Sequence, residues 1–76
     1  MFKADKLMVQ AIREERGLTQ KELAFKLKIN RALLSQIETG KVLPSFDLLL
    51  LIARTLDCLI TDLYRKEDME IINNNK

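Results

Sequence analysis

The sequence contains no histidine, one cysteine, one proline, two glycines and four aromatic residues among its 76. Each shortage removes a class of protein. Without histidine, a glycine-rich phosphate loop or ligand side chains at metal spacing, the common general bases, nucleotide cradles and zinc sites have nothing to build them. Glu14 and Glu15 are adjacent, so on a helix they diverge and form no acid/base pair. Neither catalysis, a cofactor nor a small-molecule ligand is expected. Cys58 has no partner for an internal disulfide, as suits a reducing compartment, and its Leu- and Ile-rich setting reads as a small core residue rather than a redox sensor. Gly17, Gly40 and Pro44 are too few turn residues for a many-stranded β fold. The longest apolar run, Leu48 to Ala53, falls far short of the ~20 residues that span a bilayer. The N-terminus has no signal-peptide pattern, so the expectation is a cytoplasmic protein with no membrane partner.

What is present is aliphatic and charged. Apolar residues make up 47% of the chain and Leu and Ile dominate them, the composition of packed helices. The length limits the chain to one domain. The formal charge of +2 hides an asymmetry, because residues 1–41 hold nine basic and five acidic side chains and residues 42–76 hold four and six. The front half suits an anion and the back half other work.

Helical periodicity, caps and stops predict an all-α fold of five helices. The first runs from about Asp5 to Arg16, with Leu7, Met8, Val9 and Ile12 as apolar positions and Gly17 as its stop. Thr19-Gln20-Lys21-Glu22 has the capping-box form and starts a second, of about eight residues, whose apolar side is Leu23, Ala24 and Leu27. Asn30 caps a third that reaches about Thr39 and ends at Gly40. Pro44 and Ser45 open a fourth, Phe46 to about Leu56. A fifth is expected from about Ile60 to Lys66. The domain then covers residues 1–67, followed by a tail, 68–76, that frays at Asn73-Asn74-Asn75-Lys76.

Three spaced segments carry a pattern: Gly17-Leu18-Thr19-Gln20-x-Glu22-Leu23-Ala24, then Ser35-Gln36-Ile37-Glu38-Thr39-Gly40-Lys41, then Pro44-Ser45. Together they resemble the Cro/lambda-repressor-type (XRE) helix-turn-helix family over roughly residues 6–64, with the motif itself at about 19–39. The resemblance implies a compact lambda-repressor-like fold and binding of double-stranded DNA. It also implies that helix three lies in the major groove while helix two crosses the backbone.

Helix three supports that reading from its own geometry. Leu34, Ile37 and Glu38 fall on one side with Leu33 at the edge, whereas Arg31, Ala32, Ser35 and Gln36 fall opposite. Arg grips guanine O6 and N7, Gln grips adenine N6 and N7, and Ala touches a thymine methyl, so these four are the base-reading candidates. By resemblance, Gln20 contacts phosphate at the start of helix two, and Thr39 (with the backbone around Gly40) and Lys41 clamp it from beyond helix three. Lys21, Lys26 and Lys28 add salt-sensitive attraction. The family commonly pairs the positions of Arg13 and Glu38, which implies a structural ion pair between helices one and three.

The sequence departs from the family pattern in places. Lys28 and Asp57 stand where Gly is common, and Leu59 where a Ser or Asp cap is usual. Leu48 to Leu51 wrap apolar surface around helix four, more than so small a domain can bury. Leu49, Ile52, Ala53 and Leu56 share the core direction, and Leu51 points away. Leu51, Leu59, Ile60 and Tyr64 therefore form a candidate homodimer surface, which would set two recognition helices about one DNA turn, roughly 34 Å, apart on a palindromic operator. Phe25 projects sideways or outward and is a candidate to pack under Phe2. Met69-Glu70-Ile71-Ile72 can prolong helix five, pair across a dimer or hang free. The reading is of a DNA-binding repressor, with a protein-interaction module such as an antitoxin or adaptor as the alternative use of the same fold.

Overall fold

The computed structural model describes residues 7–64, which form four α-helices and one 3-10 turn with no strand among them. These are α1 (Val9–Glu15), α2 (Gln20–Leu27), α3 (Arg31–Glu38), α4 (Phe46–Thr55) and the turn Ile60–Leu63. Side chains fix where three of the helices start. Thr19 Oγ1 accepts from the Glu22 N–H at 3.0 Å while Glu22 Oε1 accepts from the Thr19 N–H at 2.8 Å, a complete capping box on α2. Asn30 Oδ1 accepts from the Leu33 N–H at 2.7 Å on α3, and Ser45 Oγ from the Leu48 N–H at 3.2 Å on α4.

All four helices end in one way. Each is followed by a residue with left-handed backbone, Gly17 (φ 74°), Lys28 (φ 59°), Gly40 (φ 83°) and Asp57 (φ 55°). The next amide then bonds back to a carbonyl five residues earlier, as when the Ile29 N–H donates to Ala24 at 3.1 Å and the Cys58 N–H to Ala53 at 2.9 Å. Two of these positions are not glycine, so the chain holds strained backbone in both turns that the departures from the family pattern point to.

The helices enclose an aliphatic core of Val9, Leu23, Leu27, Leu34, Ile37, Ile52, Leu56 and Leu63, with Leu7, Ala24, Leu49 and Ala53 also buried. The α4 contribution, Leu49, Ile52, Ala53 and Leu56, follows the i, i+3, i+4, i+7 spacing of a single face. Arg16, at the end of α1, turns to the end of α4. Its Nε donates to the Leu56 carbonyl at 2.8 Å and a terminal nitrogen to the Asp57 carbonyl at 3.3 Å, placing a cation where that helix leaves carbonyls unpaired.

Two helix boundaries differ from the expected ones. Leu7 and Met8 lie outside α1, which starts at Val9 rather than near Asp5. No side chain caps this start, and the Met8 amide donates at 2.7 Å to the Leu63 carbonyl. That tertiary bond ties the incoming chain to the far end of the domain, burying Leu7 and leaving Met8 exposed. The expected fifth helix is instead the four-residue 3-10 turn Ile60–Leu63. Leu59 has no side-chain acceptor to open an α-helix. The Asp62 carboxylate accepts the Leu59 N–H at 2.9 Å, and extended backbone at Tyr64 stops the turn. The expected end of that helix at Lys66, the tail and Phe2 lie outside the described residues, and Phe25 is 83% exposed.

Candidate nucleic-acid interface

The left-handed turn at Lys28 makes α2 and α3 a tight pair, with the half-buried Ile29 and the cap Asn30 completing the connection. Leu34, Ile37 and Glu38 fix α3 from its inner side. Arg31, Ala32 and Gln36 are exposed on the other side and Ser35 is half-buried, so one short helix presents a cation, a methyl, a hydroxyl and an amide together. Those groups are the chemical complement of base edges in a major groove.

Beneath this face lies a buried ion pair. Arg13 Nε donates to Glu38 Oε2 at 2.7 Å and Nη2 to Oε1 at 3.2 Å, a bidentate contact in which the Glu38 side chain is 2% exposed. Arg13 Nη1 also donates to the Leu18 carbonyl at 2.8 Å, so one guanidinium joins α1, the α1–α2 turn and α3. Its hydrogen bond to Glu38 holds that guanidinium charged more firmly than in water, against the opposing effect of burial.

Gln20 extends the pair to the surface. Its Nε2 donates to Glu38 Oε1 at 3.1 Å, and its Oε1 accepts from Arg31 Nε at 3.3 Å. Buried carboxylate, bridging amide and exposed guanidinium form one continuous line. Because Arg31 is held through Nε, its two terminal nitrogens remain as a fork that matches a bidentate acceptor. Gln20 Nε2 carries a second hydrogen, so the amide keeps a donor for an anion beside the start of α2. Gln20, for which the resemblance implies a phosphate contact, is half-buried and also bridges Glu38 to Arg31. Nothing in the sequence spacing pointed to its bonds with Glu38 and Arg31, which arise only when α2 and α3 fold together.

Beyond α3 the donors are mostly committed. The amides of Thr39, Gly40, Lys41 and Val42 all bond to carbonyls of α3, and the Thr39 hydroxyl donates to the Ser35 carbonyl at 2.9 Å. The exposed Lys41 ammonium makes no ion pair among the described residues, nor do Lys21, Lys26, Lys28 and Arg31. All five cations lie on α2, α3 and the residues that end them, so this unit carries an excess of positive charge that Glu22, attracted to Lys26, offsets only in part.

The remaining candidates sit in the C-terminal half. Leu51 is 41% and Leu59 69% exposed, whereas Ile60 and Tyr64 are half-buried against the core. Leu43, Phe46 and Leu50 are exposed as well; Leu50 belongs to the Leu48–Leu51 run, whereas Leu43 and Phe46 carry no such signal in the sequence. Half-buried Cys58 has its thiol pKa pushed up, mainly by burial, so it stays protonated at neutral pH. Among the described residues there is no group of acidic, Cys or His side chains able to hold a metal, and no helix long and apolar enough to cross a membrane.

A capped helix, a tight turn and a second helix with a polar outer face define a helix-turn-helix unit. The helix-turn-helix family model matches residues 9–63. An uncharacterized HTH-type transcriptional regulator of Archaeoglobus fulgidus is 36% identical over 63 residues, covering 83% of this chain and 90% of that protein. Among solved structures, the restriction-modification controller protein C.AhdI of Aeromonas hydrophila superposes with a TM-score of 0.68 at 29% identity, over 72% of this chain and 83% of that one. The clp gene regulator ClgR of C. glutamicum gives 0.70 at 27% identity, over 72% and 70%. The chain belongs to the helix-turn-helix family, XRE type, whose members are DNA-binding transcriptional regulators.

Proposed function

We propose that this protein is a cytoplasmic, sequence-specific repressor that binds a palindromic operator in double-stranded DNA as a homodimer. In this reading α3 enters the major groove. Arg31, Ala32, Ser35 and Gln36 meet base edges while Gln20 and Lys41 engage phosphates on either side, and Thr39 joins them by turning its hydroxyl from the Ser35 carbonyl to a phosphate oxygen. The observation that carries the reading is the polar outer face of α3 with Arg31 tethered to Gln20. A guanidinium held in one orientation before binding loses less freedom on contact and favours one acceptor geometry. Repression follows from occupancy, since a bound dimer excludes polymerase without an activating surface. The proteins it resembles, a restriction-modification controller and a clp gene regulator among them, support a regulatory role.

Dimerisation rests on the exposed Leu51 and Leu59 with the half-buried Ile60 and Tyr64, which would place the two copies of α3 roughly 34 Å apart. The same exposed apolar surface favours the second reading, a protein-interaction module. Selection of duplexes from a random library at near-physiological salt separates the two. A two-fold-symmetric motif, lost in Arg31→Ala/Gln36→Ala with folding intact, supports the repressor. Salt-sensitive binding with no motif supports the interaction module.

A further inference from the structure

Helix α4 carries two stripes of identical spacing. Leu49, Ile52, Ala53 and Leu56 make the buried one, and Asp47, Leu50, Leu51 and Arg54, two residues earlier and roughly 200° around the axis, make an exposed one. Leu50 and Leu51 are 38% and 41% exposed. Asp47 and Arg54 are exposed and form no ion pair among the described residues. Read along the helix, the stripe runs acid, leucine, leucine, base. Read backwards it becomes its own complement.

We propose that a second copy of this chain seats its α4 antiparallel on this stripe, with the two-fold axis passing between Leu50 and Leu51. The proposal rests on the homodimer reading above and gives it a register. Asp47 then faces Arg54 of the second copy, Leu50 faces Leu51 of the second copy, and both relations repeat through the axis, as an isologous interface requires. A parallel arrangement would set Asp47 against Asp47 and Arg54 against Arg54, which like-charge repulsion disfavours. Phe46, exposed at the start of α4, comes opposite the end of the other α4, the end that leads to exposed Leu59. These two side chains extend the apolar seam beyond what one ten-residue helix provides. The plainer account, that Asp47 and Arg54 only complement the dipole of their own helix, leaves the two leucines between them exposed and predicts no effect on assembly.

The test uses two single variants of the full chain. Asp47→Arg places arginine against Arg54 of the second copy twice, and Arg54→Asp places two aspartates together twice. Each variant should self-associate about tenfold more weakly than wild type. Mixed at equal concentration, they should restore a dimer of wild-type strength, because both facing pairs are then opposite in sign. Sedimentation at tens of micromolar reads the state, and circular dichroism verifies that each variant is folded. Ala11→Arg, a charge placed on exposed α1 surface, should leave assembly unchanged. A wild-type dimer that neither variant weakens, or that mixing does not restore, overturns the register while the homodimer stands. A wild type monomeric both free and on a palindromic duplex overturns the homodimer reading and the register with it.

Discussion

Gln20 donates to Glu38 at 3.1 Å, so a buried carboxylate already held by Arg13 also fixes the amide that accepts from Arg31. The exposed end of this line is the group proposed to read a base, and its buried end holds α1 to α3. Stability and recognition therefore share one residue, and they can be separated by mutation.

Gln20→Ala removes the bridge and leaves the bidentate Arg13–Glu38 contact. Urea unfolding should show a loss of about 1 kcal/mol, the scale of one hydrogen bond. DNA affinity should fall further than that, because Arg31 loses its tether and the phosphate loses a donor. Equal affinity in filter binding would show that the bridge has no part in recognition.

Glu38→Ala leaves Arg13 buried without its partner and should cost ~3–5 kcal/mol, enough to unfold much of so small a domain. Loss of DNA binding in that variant reports unfolding. Replacing both partners with apolar residues of similar volume should recover most of the stability in the same urea assay.

Lys28 and Asp57 hold left-handed backbone at φ 59° and 55°. Such a conformation costs an ordinary residue ~1–2 kcal/mol, and the extra freedom of an unfolded glycine takes back ~0.4–1 kcal/mol. Lys28→Gly should thus stabilise the fold by about 0.5–1 kcal/mol, several degrees in melting temperature. Asp57→Gly should gain less, since a short polar side chain already tolerates this region. Equal gains at both sites would contradict the argument.

The Glu22 carboxyl is held below its ordinary pKa of 4.5, chiefly because it accepts the Thr19 backbone N–H. A depressed folded pKa means that the ionised cap stabilises α2 above the unfolded value and that this contribution fades as pH falls through the folded one. Comparing wild type with Glu22→Gln in urea at about pH 6 and about pH 3, the gap should narrow on acidification. Thr19→Ala removes the other half of the box and should cost about 1 kcal/mol at about pH 6, and less on acidification, because the Thr19 side chain also helps to lower the Glu22 pKa.

Much of this molecule is written locally. Thr19 with Glu22, Asn30 and Ser45 carry their own acceptors, so the starts of α2, α3 and α4 follow from neighbouring residues alone. The spacing of apolar side chains likewise determined which faces of α3 and α4 turn inward, and the motif segments identified the family. What the sequence could not decide depends on partners distant in the chain. The start of α1 is set by the bond from Met8 to Leu63, which local pattern does not foretell. Gln20 becomes a bridge only because α2 and α3 pack with Glu38 between them. Short-range patterning is dictated by backbone hydrogen bonds and side-chain period, whereas the line from Arg13 to Arg31 exists only where the fold converges four side chains from three helices.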